Sequence, residues 1–345
     1  MGAQHVIIVG AGIVGASIAH ALSHNGINVT VVDALESPGL GVSAASFGWI
    51  TCAAGEPDIP EAVYRSRLEA IDNYKNLDAE FGGQIYAPSK GALVWGANDV
   101  ETLDWAERHE ARGSQVRLVS RKEITAMEPL IAAPPALAAH FPREKAVDVR
   151  EACALLIRSA REAGAQILIG QKVQSLDIIG GRIAGVRLAD RRVAADQVVV
   201  AAGVQSPALI ADVMPEHGVY MSSAALITLQ VDSGRFAHIL DGDGLEIRSR
   251  RNGAMIVASG IEDGPEDLVK ANLARDVLTK VRRTFPAIVN PRVTGVQIGH
   301  RPFLAGDRPL VSVAPDVEGL LLAVSHPGVI LAPEIARQIG AMISL

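Results

Sequence analysis

The spacing of apolar positions changes twice near the start of the chain. Residues 6–9 (VIIV) form an unbroken apolar run suited to a buried strand, residues 13–24 repeat their apolar side chains at helical spacing, and residues 28–33 return to a buried run. The pattern predicts strand, helix, strand, the opening of a βαβ unit. A glycine-rich stretch over 38–48 follows. The spacing then predicts a helix over 60–81, with Asp58 as cap and Pro60 in the first turn, and its mixed face suggests that it crosses between domains. A strand over 91–95 and helices over 98–112 and 121–128 lead to a proline-rich break at 129–135, which reads as a domain boundary.

Beyond the break, 149–164 is helical, and β-rich segments follow at 166–169, at 173–188 folded on Gly180 and Gly181, and at 197–201. The run 198–202 has the continuous apolar character of a buried parallel strand. Alternating patterns at 226–231, 246–250 and 255–259 predict neighbouring antiparallel strands, hence a second, sheet-based domain. A helix over 265–285, strands near Val296 and over 320–324, and a last helix over 329–343 complete the chain.

Composition narrows the classes. At 345 residues, 49% hydrophobic and 20% charged, the chain has room for about two domains and a sizeable core. With 32 Lys and Arg against 38 Asp and Glu, and a net charge of −6, it lacks the basic excess of a nucleic-acid binder. No apolar run reaches the roughly 18 residues of a membrane span. Cys52 and Cys153 show no metal-ligand spacing, so no metal site is expected, and a reducing compartment, the cytoplasm, is the default.

The chemistry starts at GAGIVG. Gly10, Gly12 and Gly15 follow a strand and open a helix, and Asp33 ends the next strand. Gly10 permits the tight turn, Gly12 lets backbone approach a pyrophosphate, and Gly15 allows close helix packing. The N–H groups of the first turn, at Ile13 and Val14, point at the bound phosphate, and Asp33, with Ala34 beyond it, reaches the ribose. This is a dinucleotide fingerprint. The nearest second instance, 180–185, lacks the spacing and falls in a hairpin, so a second nucleotide site is not expected.

Several segments carry a resemblance across nearly the whole chain. The fingerprint, GVSAASFGWI at 41–50, VVVAAGVQSP at 198–207, GHRP at 299–302 and SHPGVILAP at 325–333 together resemble the glycine oxidase, D-amino acid oxidase and sarcosine oxidase family. The resemblance implies FAD and an α/β (α+β overall) fold: a discontinuous Rossmann-like FAD-binding domain with an inserted antiparallel-sheet substrate domain. On this division residues 1–82, 136–214 and 295–345 bind FAD, and 83–135 and 215–294 bind substrate.

The same resemblance assigns residues. Ser43, Ala44, Ala45, Ser46 and Gly48 would pass beside the cofactor, where small side chains allow close approach. Trp49 would lie at the end of that segment, although it and Phe47 also suit ordinary core packing. Val173, Ala202 and Gly203 are further cofactor contacts. Pro327, Gly328, Val329, Ile330 and Leu331 would place the last helix's N-terminus toward the flavin, whose reduced form its dipole stabilises. Arg301 matches the arginine whose planar fork holds the substrate carboxylate. His326 matches a family histidine, with either a direct or a structural role. No cysteine occurs over 302–313, where sarcosine oxidases attach their flavin, so FAD is expected to be non-covalent.

One departure is clear. Where glycine oxidase and D-amino acid oxidase carry a tyrosine, this chain has Glu246, and strand alternation puts Glu246, Arg248 and Arg250 on one face. Two readings stay open. Arg248 recognises a second anionic group of the substrate, with Glu246 pairing it or holding the substrate amine; or the strand is a solvated edge carrying charges.

The resemblance implies an oxidase or dehydrogenase acting on the C–N bond of a primary or secondary amino acid, with a small amino acid or amine as substrate and oxygen, a quinone or a dye as acceptor. Alternatives are an FAD-carrying subunit of a multi-chain dehydrogenase and an NAD-dependent dehydrogenase. A homo-oligomer or a partner subunit stays open.

Overall fold

A computed structural model describes residues 4–53, 55, 57–304 and 309–343. The chain divides into two compact units, Met1–Ser46, Val149–Ser222 and His300–Leu345 in the first, Phe47–Asp148 and Ser223–Gly299 in the second.

In the first unit a six-stranded sheet runs in the order Leu310–Val313, Leu320–Val324, Gln197–Val200, His5–Val9, Asn28–Asp33, Gln166–Ile169. All neighbours are parallel except the antiparallel strand Leu310–Val313. Between their ends the central strands are apolar except for Thr30, because helices cover the sheet, as βαβ crossovers require. Helix Ile13–His24 packs against Val149–Glu162 and Gly328–Ile343. A three-stranded antiparallel sheet, Ser175–Ile179, Arg182–Arg187 and Arg192–Ala194, turns at Gly180 and Gly181, both with positive φ. The glycines over 180–185 therefore serve a hairpin, as the sequence predicts.

The second unit is built on an eight-stranded, largely antiparallel sheet, ordered Arg292–Leu304, Val219–Gln230, Met255–Ser259, Leu245–Ser249, Ile239–Gly242, Ala92–Val94, Leu137–Phe141, Arg117–Ser120. Two of the four unit boundaries fall inside the long strands Val219–Gln230 and Arg292–Leu304, and the other two follow residues 46 and 148. Alternation gives the sheet two apolar faces. Leu93, Leu240, Ile247 and Val257 pack with Val277, Val281 and Phe285, contributed by the helix Glu266–Thr284 and its C-cap. Ile239, Ile256 and Leu226 pack with Phe47 and Trp49 on the other face.

Several sequence expectations change. Helix Glu61–Glu80 lies within the second unit and does not bridge two domains, so the first cut falls near residue 46, not 82. Asp58 caps nothing: the helix starts after Pro60 without a side-chain cap, and Asp58 instead accepts from Arg108 at 2.6 Å. The proline-rich break is not a boundary either, since residues on both sides belong to the second unit. Strand Leu245–Ser249 is interior, flanked on both sides, which removes the solvated-edge reading of its charges.

Candidate active site

The fingerprint turn is set by steric demands. Gly10 has φ 110°, and a Cβ there would sit 2.5 Å from the Ala201 carbonyl oxygen; a Cβ on Gly15 would run into the carbonyl of Gly10. Only glycine satisfies both positions. The helix that follows has Gly12 as N-cap, no side-chain cap bond and no acidic residue in its first turn. Its own first turn thus places no acidic side chain against the N-terminal dipole. Ser43, from the short 3-10 turn Val42–Ala45, accepts the Ile13 N–H at 3.1 Å, and a Cβ on Gly12 would lie 3.2 Å from the same hydroxyl. Asp33 accepts from the backbone N–H of Ala11 at 2.6 Å and of Leu35 at 2.7 Å. Each oxygen thus has one backbone donor, and a carboxylate has capacity for about two more bonds, as a ribose diol supplies. The backbone N–H groups of Gly170 and Gln171 bond the carbonyls of Leu35 and Asp33, which holds the segment leading to Val173 beside this end of the sheet. Ala202 and Gly203 directly follow the strand end that contacts Gly10. A dinucleotide's charge and shape fit this cradle.

The last helix starts next to it. A Cβ on Gly328 would meet Val14 Cγ2 at 3.5 Å, so Gly328 lies beside the first turn of the fingerprint helix, and no acidic residue occupies its own first turn. His326, just before it, stacks its ring on Phe303 with centroids 4.0 Å apart. Phe303 in turn lies under the Arg301 guanidinium at 5.2 Å and stacks on Tyr220 at 5.8 Å. Arg301 Nη2 donates to Ser222 Oγ at 3.1 Å. A continuous set of contacts thus links the helix start to Arg301. Sequence reasoning singled out Arg301 and His326 but missed Phe303, Tyr220 and Ser222. The available signal was alternation: Arg301 and Phe303 are two apart on one strand, Tyr220 and Ser222 two apart on another.

The second unit holds Gly48, Trp49, Glu246 and Arg248. Gly48, with φ 74°, accepts the Val147 N–H at 2.7 Å, and Trp49 is a buried core residue paired in register with Ala146. Arg248 is 1% exposed and its five N–H groups are all committed. Nε donates to Phe47 O at 2.8 Å, Nη1 to Asp148 Oδ1 and Ser249 O, and Nη2 to Val147 O and Asp148 Oδ1. Recognition of a second substrate anion by Arg248 is therefore corrected: no donor remains for it. Burial alone would raise the Asp148 carboxyl, but Arg248, the Arg251 N–H and Arg250 together hold it below the usual range. Glu246 attracts the Arg248 charge through space but takes none of its five N–H groups. It stands half-buried, opposite Asp241 across the strand pair. Burial raises Asp241 to about 6.

A buried polar network also occupies this unit. The Glu144 carboxylate accepts from Thr51 Oγ1 and from the N–H groups of Cys52 and Ala53, and burial, opposed by those bonds, raises it to about 7. Cys52 Sγ lies 2.9 Å from Ser114 Oγ, which meets Tyr64 OH, itself 2.8 Å from His109 Nδ1. Burial pushes the Cys52 thiol up to about 12, so it is a neutral structural group, as expected from the sequence. Cys153 is likewise buried and free.

The sequence profile of FAD dependent oxidoreductases (DAO) matches residues 5–342, almost the entire chain. The chain belongs to this family. FAD is accordingly its cofactor, and the NAD-dependent alternative falls. Among similar proteins, an oxidoreductase of Bacillus subtilis (strain 168), YurR, described as uncharacterized, is 26% identical over 98% of this chain and 94% of its own length. Glycine oxidase of Bacillus licheniformis is 24% identical over 98% of this chain and 92% of its own. In fold, the iminodiacetate oxidase of Chelativorans sp. BNC1 superposes with a TM-score of 0.86 at 23% identity, covering 98% of this chain and 95% of that one. The likeness of fold thus extends over nearly the whole chain. Among the described residues no helix is long and apolar enough to cross a membrane, and no group of three potential metal ligands occurs.

Proposed function

We propose that this chain oxidises the C–N bond of a primary or secondary amino acid to an imine, which water hydrolyses to an oxo acid or aldehyde plus the amine. The observation that carries this reading is the chain of contacts from the fingerprint helix through Gly328, His326 and Phe303 to Arg301, which ties a dinucleotide cradle to a guanidinium fork within one unit.

Bound FAD supplies the hydride acceptor. The protein's own work is binding and orientation. Gly10, Gly12 and Gly15, with the N–H group of Val14 and the Ile13 backbone, whose own N–H goes to Ser43, would hold the pyrophosphate, Asp33 and Ala34 the ribose, and Ser43 to Ser46, Val173, Ala202 and Gly203 the remaining length. The helix start over 327–331 would present its positive end to charge developing on the cofactor. Arg301 would accept the substrate carboxylate in two parallel charge-assisted bonds, which fixes the carbon to be oxidised. A neutral amine needs no dedicated acid or base for hydride loss.

The test is a screen of the purified flavoprotein, by peroxide release and by dye reduction, against glycine, sarcosine, D-amino acids, proline analogues and iminodiacids. Turnover of at least one carboxylate-bearing amine is the expected result. Peroxide release identifies oxygen as acceptor, and dye reduction without peroxide identifies a quinone-type acceptor. Turnover by the single chain also excludes a required partner subunit, and no turnover with any amine would contradict the proposal.

A further inference from the structure

Phe303 has three neighbours that a strand residue chosen only for packing would not need. The Arg301 guanidinium lies over its ring at 5.2 Å, His326 stacks on it at 4.0 Å, and Tyr220 stacks on it at 5.8 Å with an interplanar angle of 30°. Tyr220 itself is 53% exposed, so the stack reaches solvent and is not part of a sealed core. Phe303 is only half-buried, and both its partners on the chain's own strands follow from alternation: Arg301 two positions before it, Tyr220 two positions before Ser222.

A guanidinium on a flexible stem binds a carboxylate in two parallel bonds only when its plane is fixed, and the ordering entropy is otherwise taken from the binding energy. Two contacts fix that plane here. Ser222 Oγ holds Nη2 at 3.1 Å, and the Phe303 face attracts the cation through its quadrupole. Phe303 is also met by His326, two residues before the helix start at Gly328. One ring therefore touches both the arginine and the segment that leads into the last helix.

We infer that Phe303 is the positioning residue of the carboxylate site: it holds the Arg301 fork in its binding plane and in register with the helix start at Gly328. The inference rests on the reading of Arg301 as the carboxylate anchor. It assigns Phe303 no contact with the reacting atoms.

The experiment titrates the FAD-loaded protein with acetate, a carboxylate with no amine to oxidise, and follows the perturbation of the flavin spectrum. Phe303→Leu, which keeps an apolar side chain but removes the ring, is expected to raise the acetate Kd about tenfold, and Phe303→Tyr to restore it to within about twofold. Phe303→Met serves the same purpose should the leucine variant fail to fold, with flavin content and circular dichroism as the check on folding. A purely structural residue would lower flavin content without this ring-dependent pattern. Arg301→Ala separates the two ideas. If it abolishes acetate binding while Phe303→Leu and Phe303→Met bind acetate like the parent, the positioning inference is overturned and the anchor stands. If Arg301→Ala binds acetate unchanged, the anchor reading fails and the inference fails with it.

Discussion

Asp148 Oδ1 accepts hydrogen bonds from both terminal nitrogens of Arg248, each at 3.1 Å, and the pair is sealed from water. The other three donors of Arg248 go to the backbone carbonyls of Phe47, Val147 and Ser249, so the guanidinium ties the residues at Phe47 and the end of strand Lys145–Val147 to its own strand.

Breaking this pair by removing one partner leaves an uncompensated buried charge. Asp148→Ala and Arg248→Ala should each destabilise the protein by about 3–5 kcal/mol in denaturant unfolding. The ratio of KM values for diacid and monoacid amines should stay within about twofold of the parent in Arg248→Ala, measured where the variant is folded. A selective loss of diacid affinity would return Arg248 to substrate recognition.

Glu144 and His109 produce opposing pH dependences. Burial raises the Glu144 carboxyl from 4.5 to about 7, so the folded state favours its protonated form, and its contribution to stability is lost as pH rises across that window. Burial, with the charges of Arg108, Arg112 and Arg67 adding to it against a Gly55 hydrogen bond, lowers His109 from 6.5 to about 4. The folded state favours neutral His109, whose contribution is lost as pH falls through that range. The two effects offset between about pH 4.5 and 6.5 in the parent protein. Relative to the parent, Glu144→Gln should therefore make the slope of stability against pH more positive over this interval, and His109→Gln should make it more negative, by an order of 1–3 kcal/mol in each case. Urea melts at several pH values measure this; parallel curves for both variants would contradict it.

Gly10 and Gly12 should differ in what their substitution breaks. At Gly10 an alanine meets the Ala201 carbonyl and takes a positive φ, so Gly10→Ala should lose folded protein as well as FAD. At Gly12 the added methyl meets only the Ser43 hydroxyl at 3.2 Å, so Gly12→Ala should fold yet bind FAD at least about tenfold more weakly, because the methyl fills the space for a pyrophosphate. Apoprotein reconstitution followed by flavin fluorescence separates the two.

Acid precipitation of the holoprotein should leave the flavin in a yellow supernatant, since Pro302 to Val313 holds no cysteine to attach it. Colour retained in the pellet would show a covalent bond.

The first unit was readable in the sequence because each of its central strands is buried on both faces and spells an apolar run, broken only at Thr30, and because Gly10, Gly12 and Gly15 have steric duties that no other residue meets. The second unit was less readable. Strands such as Tyr86–Ala87 and Lys145–Val147 are too short to show a period, and Arg117–Ser120 (RLVS) does not alternate. Arg248 was misread for a different reason. Alternation correctly places it on one face with Glu246, but depth depends on which strands flank it, and its partner Asp148 lies a hundred residues earlier, where nothing local marks it. Phe303 was legible in principle, two residues after Arg301, yet its value comes from His326 and Tyr220, which only folding brings to it.

The most direct test of the proposed function is anaerobic mixing of the holoprotein with a carboxylate-bearing amine that it turns over, following the loss of oxidised-flavin absorbance. The account predicts rapid bleaching by the amino acid, none by the same amine lacking its carboxylate at equal concentration, and a loss of at least about a hundredfold in bleaching efficiency in Arg301→Ala. Equal bleaching with and without the carboxylate, or by Arg301→Ala and the parent, would contradict it.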